Sequence, residues 1–454
     1  MLNILLDCMM IAIPLTFFTG VYLLIKLRFF NLRYLKVAFK ITLGKGNNSS
    51  GGLLSSFAAL TSVLGGNLGV GNIAGIAVAL STGGPGAVFW MWVMAILGSI
   101  IKYTGCFVAI QCRIKQASGQ FVGGPMYYMR DILKSPMLAI LFCILTILSS
   151  FTVGNLAQVN SFAITLSHYE FIPPWLIGAV MAILVGLLFL GGMKAFSRVS
   201  SFLVPIMALS YLLCCLWILV VYFKQLPEAF FLIFTGAFAP QAAFGGVTGF
   251  TLIQTIQSGF NRGLFATDAG AGLESIIHSS VTSGSNDKKT AMSQALVSSL
   301  APLIVALLCT FTALVLLCTN VWQGGALKST QICIEAFQKG LHWNHAEWFV
   351  MVIIFCFALT TIMTWSFCCD KSFEYLLGRP SNIGKILFII CIPFGALVKV
   401  ETVWLLGDIA FNGMLIINVI AVALLSKQVV SSTKELTASN KSIKQILLNE
   451  DPSH

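Results

Sequence analysis

The sequence predicts an all-α polytopic membrane protein of about eleven transmembrane helices. Three observations predict it. Of 454 residues, 57% are hydrophobic and only 9% are charged, with a mean hydropathy of +0.90, whereas soluble domains average about 25% charged residues. Apolar stretches long enough to cross a bilayer core recur along the whole chain. The basic residues gather on one side of those stretches. No polar domain or long linker interrupts the series. Residues 1–426 therefore read as one transmembrane domain and 427–454 as a basic cytoplasmic tail.

In order, the expected spans lie near 5–27, 52–81, 85–110, 136–166, 174–191, 199–223, 240–259, 291–318, 347–368, 384–400 and 403–426. The first has no Lys or Arg ahead of it and no small-residue cleavage site, so it reads as a retained helix rather than a secretory leader. Residues 28–44, 123–134 and 228–238 are too polar or too short to span and read as surface helices. With the N-terminus outside, only Lys224, Lys328 and Lys339 fall in outer loops, and Lys102 and Lys399 lie within or beside spans. Every other Lys and Arg then faces the cytoplasm, as does the C-terminus. This asymmetry accounts for the net charge of +11 without a nucleic-acid partner; the partner is the lipid bilayer. The thirteen cysteines sit mostly in apolar stretches without zinc or haem spacing and read as small core residues.

The second span contains "LGGNLGVGNIAG", residues 64–75, with five glycines and two asparagines. Broken helix is tolerated at membrane depth only inside protein or around a polar cavity. Small residues also allow close helix packing, but Asn packs poorly and tolerates irregular backbone. A second glycine-rich stretch, "PQAAFGGVTGF" at 240–250, opens the seventh span. With the first helix (5–27) set aside as an extra, ten spans divide into two sets of five, 52–223 and 240–426. Each set begins with an interrupted helix, and the two sets are inverted because five is odd. Paired breaks in inverted repeats point to the midplane site of a secondary transporter. A break exposes an N-terminal helix end near Gly71 and Asn72 that suits a carboxylate, and carbonyls near Gly65 to Leu68 that suit a small hard cation.

The ionisable groups within spans are few, chiefly Asp408 and Lys102. A proton-coupled carrier generally needs a buried titrating carboxylate, so a cation held by neutral oxygens fits better. Thr360 and Thr361 supply adjacent hydroxyls, although Thr hydroxyls also bond their own helix carbonyls. Trp365, one turn on, reads as a pocket wall or an interfacial anchor. Asn155, Gln158 and Asn160 place amides in one span, as substrate contacts or as helix–helix glue. There is no phosphate-binding loop, zinc spacing or Ser-His-Asp grouping, and all five histidines are expected outside the spans, so the chain does not read as an enzyme.

The segments "GGNLGVGNIAGIAVALSTGGPGAVFWMWV" (65–93), "FVGGPMYYM" (121–129), "GNLAQVNS" (154–161), "AFAPQAAFGG" (237–246), "RGLFATDAGAG" (262–272), "TTIMTW" (360–365) and "DIAFNGM" (408–414) together resemble the alanine or glycine:cation symporters. The resemblance implies the five-plus-five inverted-repeat sodium-symporter fold with an extra N-terminal helix. It also implies symport of alanine or glycine with sodium across a bacterial plasma membrane. It carries a substrate role to Gly71, Asn72, Gln158, Gly246 and Trp365, and a sodium role to Gly65, Leu68, Thr360 and Thr361. The alternative is a proton-coupled carrier using Asp408. Two departures stand out. The family usually has Glu one turn after Lys102, where this chain has Gly105, so Lys102 lacks that partner. Its Asn-Glu is Thr267-Asp268 here. Arg262 and Asp268 are expected just cytoplasmic of the sixth core helix, as a cap and loop or as an inner gate.

Overall fold

The structure is a computed structural model that describes residues 2–44, 54–116, 119–167, 173–238, 251–281, 288–322, 330–343, 346–379, 382–398, 400–438 and 447. It is almost wholly helical. An apolar first helix, α1 (Leu2–Lys26), leads into the short α2 (Phe30–Arg33) and α3 (Leu35–Leu43). Next come α4 (Ser56–Asn67), α5 (Val70–Gly83) and α6 (Ala87–Gln111). A two-residue antiparallel ladder pairs Ile114 with Val122 and Lys115 with Phe121. It precedes α7 (Pro125–Asp131) and α8 (Pro136–Phe151), which continues through a π-helical turn (Thr152–Leu156) into α9 (Ala157–Ser167). The first half closes with α10 (Pro174–Leu190) and α11 (Gly192–Val221). After α12 (Leu226–Phe238) come α13 (Leu252–Thr267), α14 (Leu273–Ser279), α15 (Lys288–Ser298) and α16 (Leu300–Cys318). The chain ends with α17 (Thr330–Leu341), α18 (Ala346–Leu377), α19 (Ile383–Gly395) and α20 (Val400–Ala438).

Among the described residues, six helices are long and apolar enough to cross a membrane, or seven if α4 and α5 count as one bent span. The sequence expectation of about eleven is larger. The difference lies in three shorter apolar helices, Ile11–Lys26, Pro174–Leu188 and Ile383–Gly395, and in the interrupted pair α13–α14. Helices form at the stretches expected as surface helices, 28–44, 123–134 and 228–238, as α2–α3, α7 and α12; α7 is not on the surface, however, because Pro125 to Met129 are buried against the bundle. Residues 427–438, expected in the tail, continue α20 instead.

Helix α6 is the hub. Within its most apolar contiguous stretch of 18 residues, 89% are buried inside the protein, and α1, α13, α14, α15 and α16 all pack on it. A helix that is apolar all round must be enclosed, which is the case here. The outer helices differ. On α11 only a third of the apolar window is covered, and Phe202, Leu209, Leu213 and Trp217 stand exposed. Large exposed apolar belts mark an interaction surface, and for this chain that surface is lipid.

Two helices are interrupted near the centre of the bundle. Ser55 caps α4 by accepting from Ala58 N at 3.1 Å. The helix stops at Asn67, and the axis turns by 48° into α5. This break falls where the glycine-rich stretch predicts it.

The second expected break is not among the described residues, and a break is found farther along the chain. Residues 239–250, including the 240–250 stretch and Gly246, lie outside the described residues. The described helix begins at Leu252 with a Thr251–Gln254 capping box, and it breaks at 268–272, between α13 and α14. Hydropathy ended this span near 259 because α13 carries Gln254, Gln257, Asn261 and Arg262 on an amphipathic face. Asp268, Gly270 and Gly272 all adopt positive φ, at 45°, 88° and 84°. At Gly270 a Cβ would also stand 2.6 Å from Val419, so glycine is required there for both backbone and space. Asp268 is therefore at the core of the bundle, 5% exposed, and not in a cytoplasmic loop. His278, expected outside the spans, is also buried and pairs with Gln294 at 3.1 Å.

Candidate functional site

Breaking a buried helix leaves backbone groups that must find partners. Side-chain amides supply them here. Gln158 on α9 accepts from Val70 N at 3.1 Å and donates to Val153 O across the π turn, also at 3.1 Å. Asn67 donates to Thr267 O at 2.8 Å, linking the two broken helices directly. Asn418 on α20 donates to Gly270 O at 2.8 Å and accepts from the Tyr128 hydroxyl. Asn72 returns its amide to Asn67 O. The amides thus hold open the two irregular stretches that a simple span would have closed.

Between these stretches lies a small, largely polar cavity of about 10 Å³. Gly66, Asn67, Gly69, Gly71 and Asn72 line it from the first break, and Phe265 and Asp268 from the second. Val153, Gln158, Thr361 and Trp365 complete it. Four of the five residues expected to touch substrate therefore come together: Gly71, Asn72, Gln158 and Trp365. The fifth, Gly246, lies outside the described residues. Trp365 is 1% exposed. Its Cβ and Cγ lie 2.3 Å from where a Cβ on Gly154 would stand, so that glycine is what lets the indole pack flat on the π turn. Phe411 bridges the rings of Phe265 and Trp365, with centroids at 5.5 and 6.4 Å.

A larger cavity of about 220 Å³ lies farther along α18, beside Phe196, Phe367 and Asp370, and shares no lining residue with the break. Size alone would select it. The small cavity is the better candidate because two helix breaks and a buried carboxylate converge on it.

The expected cation oxygens separate. Thr361 Oγ1 meets Gly65 O at 3.0 Å. Thr360 Oγ1 instead turns back to Cys356 O and Phe357 O of its own helix, at 3.0 and 3.2 Å. Thr364, one turn on, reaches Ser62 O at 2.9 Å. Leu68 ends α4, its N–H bonded to Leu64 O at 2.7 Å. Thr361 and Thr364 with the carbonyls of Ser62 and Gly65 form a neutral all-oxygen seam between α4 and α18, the donor type hard cations take.

Sequence reasoning did not single out Thr364 and gave Asp268 a different place. Thr364 lies within the "TTIMTW" segment, one turn after Thr360 and Thr361. Asp268, expected in a cap and loop or as part of an inner gate, sits instead in the second break; the sequence signal is Asp followed by Gly270 and Gly272, the residue types that unwind helices. Its Oδ2 is buried without a hydrogen-bond partner. The gate expected between Arg262 and Asp268 is not formed as such. The charge that acts on Arg262 is Asp408 on α20, one turn from Phe411 as Arg262 is from Phe265. Lys102, expected without its partner, is met by Glu274 on α14 at 3.7 Å.

Comparison with known proteins adds an independent line. Residues 1–449 match the model of the sodium:alanine symporter family. An uncharacterised transporter of Haemophilus influenzae is 34% identical over 420 residues, covering 92% of this chain and 91% of its own. The sodium/alanine symporter AgcS of Methanococcus maripaludis is 32% identical over 431 residues, covering 93% of each. Among solved structures, the Eremococcus coleocola manganese transporter superposes with a TM-score of 0.54 over 87% of this chain and 90% of its own. At 15% identity, that likeness concerns the fold alone.

Proposed function

Because the chain belongs to the sodium:alanine symporter family, whose members are amino-acid transporters of the membrane, we propose that it brings a small neutral amino acid, alanine or glycine, into the cell together with sodium. One observation carries this reading. The N-terminal end of α5 and Asp268, whose Oδ2 is buried without a hydrogen-bond partner, share one small cavity. Helix N-termini favour anions, so the substrate carboxylate lies against Gly71 and Asn72. Asp268 takes the ammonium group as a charge-assisted partner. Phe265 and Trp365 wall the same small cavity, which favours a substrate with little side chain.

Sodium, the co-transported ion, is held by the oxygens of Gly65, Thr361 and Thr364, with the Leu68 carbonyl completing the set. Both ligands then bear on α4 and on the first break, so binding one favours the geometry needed by the other. In this reading α4–α5 and α13–α14 are the first and sixth helices of two inverted sets of five, eleven spans counting α1. The Lys and Arg asymmetry supports an N-terminus outside and a C-terminus in the cytoplasm, and membership of the family supports a bacterial plasma membrane. Arg262 and Asp408 close the site on the side of the α13 N-terminus, above the Phe265–Phe411 contact.

The alternative is a proton-coupled carrier with Asp408 as its titrating group; the neutral oxygens of Gly65, Thr361 and Thr364 support sodium instead. Uptake of labelled alanine into proteoliposomes under a sodium, potassium or proton gradient separates the two. Accumulation driven by sodium alone is the expected result. Accumulation driven by protons would replace sodium in the mechanism, and no uptake in any gradient would remove alanine as substrate.

A further inference from the structure

Lys102 and Glu274 are the most deeply buried ion pair among the described residues, 0% and 1% exposed, and the transport reading above gives them no role. Their surroundings show why the pair spans two helices. Lys102 lies in the interior of α6. One turn on, the same helix offers Gly105, with no side chain to answer the ammonium. A Cβ at Gly105 would stand 3.2 Å from Ser275 Oγ and 3.8 Å from Glu274 Oε1. The carboxylate of Glu274 thus occupies the space that a side chain at 105 would fill. The counter-charge comes from α14 instead, and with it a tie between α6 and the helix that follows the second break.

Glu274 lies in the first turn of α14, two residues beyond Gly272. Its negative charge also suits that helix end. The break is pinned at Thr267 O by Asn67 and at Gly270 O by Asn418. Glu274 is its third anchor, and the charged one.

We propose that Glu274 is a positioning residue for amino-acid recognition: by meeting the Lys102 charge across the α6–α14 contact, it fixes the 268–272 break and hence the Asp268 carboxylate. This rests on the reading of Asp268 as the acceptor for the substrate ammonium group. A merely compensating role would need a negative charge near Lys102, whichever helix carried it. The positioning role needs that charge on α14.

Two double variants separate these roles. Lys102→Met with Glu274→Met removes both charges; well-packed apolar replacements of buried pairs are often tolerated in folding. Gly105→Glu with Glu274→Ala keeps a counter-charge but moves it onto α6, in space that the second change vacates. Alanine uptake kinetics and hydrogen–deuterium exchange across 262–281 are measured for both and for the unaltered protein. The expected result is at least a tenfold rise in the KM for alanine in both variants, a smaller change in maximal rate, and faster exchange across 268–275. A KM within twofold of the unaltered value in either variant, or unchanged exchange, overturns the proposal. If only one variant folds, that variant decides. If the unaltered protein takes up no alanine, the substrate reading fails separately, and exchange alone decides the anchoring of the break.

Discussion

At the scale of single residues, Thr360 and Thr361 are neighbours with different environments. Thr361 crosses to the Gly65 carbonyl, whereas Thr360 bonds within its own helix. Thr361→Ala is therefore expected to raise the sodium concentration for half-maximal uptake about tenfold, equivalent to ~1.4 kcal/mol. Thr360→Ala should change it by no more than about twofold. A sodium titration of uptake checks both, and unchanged dependence in each would remove this seam as the cation site. Asp268 carries the second prediction. A hydrogen bond to a charged group is worth about 1.5–3 kcal/mol, so Asp268→Asn should weaken alanine binding roughly ten- to hundredfold. Equilibrium binding of labelled alanine to the purified protein measures it, and wild-type affinity in the variant would exclude the carboxylate from recognition.

At the scale of elements, what matters is how interrupted helices stay intact in an apolar bundle. Each break is held by amides from neighbouring helices, and the π turn between α8 and α9 places one of them, Gln158. Such turns recur at functional sites. The same turn brings Gly154 against the Trp365 ring. Gly154→Ala should lower stability by about 1–3 kcal/mol through overpacking and push the indole into the cavity. A lower melting temperature together with a raised KM for alanine is the expected pair of results. A variant with both values unchanged would show that the indole has slack on that side.

At the scale of the whole molecule, transport requires closing the site first on one side and then on the other. Phe265 packs on Phe411 between α13 and α20, and Arg262 and Asp408, each one turn away from that ring pair, carry opposite charges that act on each other. Asp408→Asn leaves the Arg262 charge without its match. Sodium-driven uptake should fall severalfold while sodium rather than protons remains the driving ion. Loss of uptake with proton dependence in the unaltered protein would instead make Asp408 the coupling group. Helix α6 stays central to this architecture because most of the bundle packs on it.

The sequence by itself determined the membrane class, the first break and five of the eleven residues that line the small cavity. Those properties follow from composition and local pattern: apolar length, basic asymmetry, and glycine with asparagine inside a span. The five cavity residues are Gly71, Asn72, Gln158, Thr361 and Trp365, which the structure brings around one cavity. Only the tertiary structure decided the second break, the place of Asp268, and the partners of Lys102 and Arg262. The physical reason is the same for all three. Hydropathy treats polar residues as the end of a span, whereas in a packed bundle they can face other helices. There, a charge is matched by whichever neighbour lies closest in space, as Glu274 is to Lys102 from far along the chain.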